Sequence, residues 1–86
     1  MKLHATDMVE ALAAEIRGEM AAQDKSRSEL DKDLGLSRPS VSARLSGRIP
    51  FDIKEIAAVA GTLGMDASEL VSRAEQRALG SELVAA

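Results

Sequence analysis

The chain has 86 residues, 45% of them hydrophobic and 29% charged, with no cysteine, one aromatic residue and a formal charge of −3. That length holds one domain around one core, and the cysteine count excludes a disulfide framework and cysteine-based zinc sites while fitting a reducing compartment. No apolar run approaches the roughly 18 residues of a membrane helix and no signal-peptide core follows Met1, so the expectation is a soluble cytoplasmic protein with no membrane partner.

Alanine-rich helix formers around the single aromatic residue, Phe51, predict an all-α domain. Residues 1–6 are expected to be a flexible N-terminal arm. Its His4 is the only histidine and has no acidic or cysteine cluster beside it, so no metal site is expected. A first helix is predicted from Asp7 to about Ala22, opened by a capping box of Asp7 and Glu10, with Val9, Leu12, Ala13, Ile16 and Met20 on its core face. Gln23 to Lys25 links it to the next unit.

Ser26 to Gly47 is the informative stretch. Ser26 and Glu29 form a second capping box, Leu30 and Leu34 share one face, and Gly35 supplies the left-handed stop a helix end commonly needs. Leu36 plugs the corner, Ser37 caps the following helix, and Pro39 falls in its first turn, where a missing N–H costs little. Two short helices with a turn of about three residues between them read as helix-turn-helix. Val41 and Leu45 form the inner face of the second helix. A 3.6-residue period turns Pro39, Ser40, Ala43 and Ser46 outward, with Arg38 projecting from the first turn. Small side chains let a helix lie close to a surface, and arginine at its tip suits guanine O6 and N7 in a major groove.

Beyond Gly47, Asp52 and Glu55 form a third box and Phe51 with Ile56 a hydrophobic staple. Ile53, Ile56, Ala57, Ala60 and Leu63 give the buried face of the fourth helix, and Gly64 ends it. Asp66 with Glu69 and Met65 with Leu70 repeat the design for a fifth helix, lined by Leu70, Val71, Ala74 and Ala78 and ending near Gly80. Residues 7–80 thus form the domain. Residues 81–86 are an apolar C-terminal tail, whose Leu83 and Val84 either pack back on the domain or meet a second copy.

Charge is unevenly spread. Residues 25–48 carry six basic side chains, Lys25, Arg27, Lys32, Arg38, Arg44 and Arg48, against three acidic ones, Glu29, Asp31 and Asp33. A basic face on an acidic body predicts weak non-specific and strongly salt-dependent DNA binding.

The run L-x-x-x-L-G-L-S-R-P-S-V-S-x-x-L-S-G-R from Leu30, followed by I-A-x-V-A-x-x-L-G from Ile56, resembles the Cro and phage-repressor (XRE-like) family of helix-turn-helix DNA-binding domains. The likeness covers roughly Val9 to Leu79. R-L-S-G-R-I-P-F after the second helix of the motif looks like the actinobacterial and actinophage members. The resemblance implies a five-helix lambda-repressor-like fold, with the motif as helices 2 and 3, and an operator-binding role. Two positions depart from the family pattern: Asp31 stands where a small residue is usual, and Arg44 where isoleucine is common. Either they pair at the edge of the helix-helix seam or both reach water.

The expected function is sequence-specific binding of double-stranded DNA as a transcriptional regulator, most simply a phage-type repressor. Arg38, Pro39, Ser40, Ser42 and Ala43 are the expected base contacts, and Ser26, Arg27, Ser28, Arg44, Ser46 and Arg48 the expected phosphate contacts. The other readings are a DNA-binding antitoxin with a toxin partner, and a protein-interaction module that no longer binds DNA. A homodimer through helix 5 and the tail is the alternative to a monomer. No histidine base, cysteine or phosphate loop suggests an enzyme, a cofactor or a small-molecule substrate.

Overall fold

The computed structural model describes residues 4–85, the side chains of 81–85 excepted. Among the described residues there are five helices and no strand: α1 (Ala5–Gln23), α2 (Arg27–Leu34), α3 (Arg38–Leu45), α4 (Ile53–Leu63) and α5 (Ala67–Ala85).

Helix starts follow the local chemistry. The Ser26 and Asp52 side chains accept from the backbone N–H of Glu29 and Glu55, and both glutamates return a bond to the cap N–H, so both boxes form as expected. Gly35 and Gly64 close α2 and α4 at φ +66°, each in the left-handed region where a Cβ is strained. The first helix departs from its expected start. Its N-cap is His4, and the Asp7 N–H bonds to the His4 carbonyl at 3.0 Å. Asp7 therefore sits in the first turn, where its charge complements the exposed N–H groups instead of capping them. The last helix departs from its expected end. Gly80 lies inside α5, which runs on to Ala85 and takes in residues expected to form a tail. A helical glycine costs about 1 kcal/mol relative to alanine, which does not by itself stop a helix. The packing of Leu83 and Val84 and residues 1–3 of the expected N-terminal arm lie outside the described residues.

Each helix contributes one fully buried branched side chain to the core: Ile16, Leu30, Val41, Val59 and Leu70. Leu12, Met20, Leu45, Phe51, Leu63, Ala74 and Ala78 extend the cluster, with Leu34, Leu36, Ile56 and Met65 packed at its margin. α1 and α5 share the largest helix-helix contact. They run antiparallel, since Glu15 meets Arg77 at 2.9 Å while Glu19 meets Arg73 at 3.1 Å. The Gln23 amide donates to the Leu63 carbonyl at 2.8 Å and the Thr62 hydroxyl bonds Asp33 at 2.6 Å, tying the end of α4 to α1 and α2.

Three expected core positions are corrected. Ile53 is 83% exposed, Val71 is 37% exposed, and Ala57 is exposed, while the unforeseen Val59 is fully buried. Ile53 is the first residue of α4, set by the Asp52 cap before the helix has turned onto the core. The burial pattern separates two similar substitutions. Leu30→Ala is expected to lower unfolding free energy by about 2 to 5 kcal/mol, whereas Ile53→Ala should change it by no more than about 0.5 kcal/mol; urea titration followed by helical circular dichroism measures both.

Candidate nucleic-acid interface

α3 is held from behind and open in front. Val41 is fully buried and Leu45 is 7% exposed, while Arg38, Pro39, Ser46 and Arg48 are exposed and Ser40 and Ser42 half-buried. The Ser37 side chain caps the helix by accepting from the Ser40 N–H at 3.4 Å, and its hydroxyl also donates to the Ser40 hydroxyl at 3.0 Å. At the other end, Gly47 takes φ +81° and the chain folds back, with the Arg48 and Ile49 N–H groups both on the Ala43 carbonyl. That return explains one correction. Ala43, expected on the outward face, is buried although it stands outside the core cluster; the side chain is too small to emerge beyond the turn that closes over it.

The arginines divide into distinct roles. Arg44, expected at a phosphate, is turned inward: its Nε meets Glu55 Oε1 at 3.0 Å, its Nη1 donates to the Ser40 carbonyl at 3.0 Å, and its side chain is only 17% exposed. Glu55 also completes the α4 capping box, so one carboxylate joins the start of α4 to the flank of α3. The Asp31–Arg44 pair considered from the sequence does not form. Asp31 instead lies between Arg27, 3.7 Å away, and Arg38, 3.9 Å away. Arg27 reaches across from α2 to donate to the Ser42 hydroxyl at 3.0 Å and the Arg38 carbonyl at 3.3 Å.

The remaining expected contacts are near the surface. Ser26 caps α2 and Ser28 is exposed in its first turn. Ser46 donates to the Ala43 carbonyl and accepts from Arg48 Nε at 3.1 Å. One participant was missed in the sequence. Arg17 of α1 donates to the Leu45 carbonyl, meeting an orphan acceptor at the end of α3, and with Arg27, Ser42, Ser46, Met20 and Leu45 it lines an open cleft of about 570 Å³. Arg17 and Leu45 are 28 residues apart, and no local pattern marks that bond. The cleft contains two guanidinium groups and two hydroxyls and no carboxylate, a lining suited to an anion.

A helix held by a tight turn behind a capped partner, with basic and hydroxylic side chains around its free face, has the arrangement of a DNA-binding unit. The family description of a BetR domain matches residues 5–85. The chain belongs to the BetR domain family. BetR domains are small helical domains of DNA-binding, regulatory type, and the match takes in all five helices. No curated protein and no solved structure matches the chain significantly. No helix among the described residues of this BetR domain is long and apolar enough to cross a membrane.

The bracing role of Arg44 has a measurable consequence. Arg44→Ala is expected to destabilise the fold by about 1 to 2 kcal/mol, and the exposed Arg48→Ala by no more than about 0.5 kcal/mol, in the same urea titration.

Proposed function

We propose that this BetR domain is a sequence-specific regulator of the phage-repressor type, reading the major groove of double-stranded DNA with α3. The observation that carries this reading is the two-sidedness of α3: Val41 and Leu45 anchor it in the core while Arg38, Pro39 and Ser46 stay exposed. Arg38 would pair with a guanine edge, and Pro39 would lie against a thymine methyl group. Ser40 and Ser42 would adjust to neighbouring bases, Ser42 through its free hydroxyl proton.

Phosphates would be held on both sides of the groove. On one side stand Arg27, Ser26, Ser28 and the free N–H groups of the first turn of α2; on the other are Ser46 and Arg48. Arg17 adds a cation to the cleft that Arg27 and Ser46 both line. With a net charge of −3, attraction to DNA would depend on this basic face. Binding would therefore fall steeply with salt.

A single eight-residue recognition helix buries little surface. We therefore infer a homodimer through α5, facing two half-sites about 34 Å apart. Selection of bound sequences from a random duplex pool tests both points: an enriched palindrome supports the dimeric reader, and an enriched single half-site removes the dimer. A pool that stays random, with no salt-dependent gel shift, would replace the regulator by a protein-interaction module.

On an enriched site, Arg38→Ala is expected to cost about 1 to 3 kcal/mol and relax one base position, whereas Arg48→Ala should weaken all sequences alike and reduce the salt slope by about one. Equal losses on selected and random DNA for Arg38→Ala would remove the base-reading role of that residue.

A further inference from the structure

We propose that Asp31 is a specificity-determining residue, a fixed carboxylate that positions Arg38 for base reading and makes its capture by DNA phosphates less favourable; this rests on the DNA-binding reading above. The observation is the arrangement of three charges across the α2–α3 seam. The Asp31 side chain is 18% exposed, with Oδ1 toward Arg27 Nε at 3.7 Å and Oδ2 toward Arg38 Nη1 at 3.9 Å. Arg38 itself is 64% exposed. One end of the pair is thus held by the fold and the other is free to move.

Two details make the carboxylate more than a structural filler. Arg27 Nε and Asp31 Oδ1 face each other at 3.7 Å, both buried and without a hydrogen-bond partner among the described residues, so Oδ1 is enclosed on the Arg27 side and Oδ2 is the oxygen that addresses Arg38. Arg27 is tethered independently, through Nη2 to the Ser42 hydroxyl and the Arg38 carbonyl. That tether holds the first residue of α3 and the base of the Arg38 side chain against α2. Asp31 then faces the guanidinium itself.

A guanidinium has five N–H donors arranged in a plane. With Nη1 toward Asp31 at 3.9 Å, the other donors remain for guanine O6 and N7, and the carboxylate biases the mobile side chain toward the seam without a hydrogen bond that would have to be broken. On random DNA the same arginine would have to leave Asp31 for a phosphate, and the carboxylate would remain beside the backbone with its negative charge less compensated. The trio carries a net charge of +1 where two arginines alone would carry +2. Asp31 therefore weakens sequence-independent attraction more than it weakens the base contact, which widens the gap between right and wrong sites.

The test uses the full chain, a selected duplex and a random duplex in salt-titrated gel shifts, with Asp31→Asn and Asp31→Ala, the second restoring the small residue common at this position in the resembling family. Both variants are expected to bind random DNA about three- to tenfold more tightly and to steepen its salt slope by about 0.9, one more phosphate neutralised. The selected duplex should gain less, so the ratio between the two falls, and base preference should loosen at the position read by Arg38. In an Arg38→Ala background the same Asp31 changes should leave the ratio within about twofold, a coupling that a role in stability alone would not produce. An equal gain on both duplexes, or an unchanged ratio in a variant that keeps its helical spectrum, would overturn the proposal. Absence of salt-dependent binding by the unaltered chain would instead overturn the DNA-binding reading itself, and this inference with it.

Discussion

Five buried side chains, one from each helix, decide whether there is anything to present. α2 and α3 have eight residues each, well short of the length at which a helix stands alone in water. They persist because Leu30 and Val41 enter a common cluster with Ile16, Val59 and Leu70. The orientation of α3 follows from the same contact. With Val41 and Leu45 fixed inward, the positions a third of a turn away have no freedom to choose their direction, so the face left at the surface is set by packing behind it.

Electrostatics then refines what packing has placed. Three arginines near α3 look alike in the chain, yet Arg44 braces the helix through Glu55, Arg38 points outward past Asp31, and Arg48 remains at the surface on Ser46. The division follows helix geometry. Arg44 lies on the side of α3 that faces the start of α4, where Glu55 is already oriented by its capping box. Arg38 is in the first turn, near α2, where Asp31 is the nearest carboxylate. An isoleucine at position 44 would supply only apolar contact there; arginine adds an ion pair with little solvent exposure on either partner.

Local signals in the chain were legible and distant ones were not. Ser26 with Glu29, Asp52 with Glu55, and the stops at Gly35 and Gly64 are contacts within four residues, and their chemistry carries its own geometry. Asp7 with Glu10 matched the same pattern but lay beyond the true start, because the first helix gains another turn back to His4 without a side-chain cap. Periodicity placed Val41 and Leu45 correctly and misplaced Ala43, since a helix wheel ignores the chain that folds back after it. Arg17 on the Leu45 carbonyl and Asp31 between Arg27 and Arg38 depend on which helices become neighbours, a property of the assembled core. The face of α3 was therefore predictable in outline, while the assignment of charges around it required the tertiary arrangement.

The antiparallel seating of α1 on α5 joins segments near opposite ends of the sequence, and it has a consequence for biosynthesis. While α3 emerges from the ribosome, α5 has yet to follow it out, and the face of α1 that Leu70, Ala74 and Ala78 cover is still open to water. α3 itself packs on α1 and α2, so α5 steadies it only indirectly, through α1. The core therefore closes only when α5 docks on α1, and a fragment that stops before α5 would leave that face of α1 uncovered.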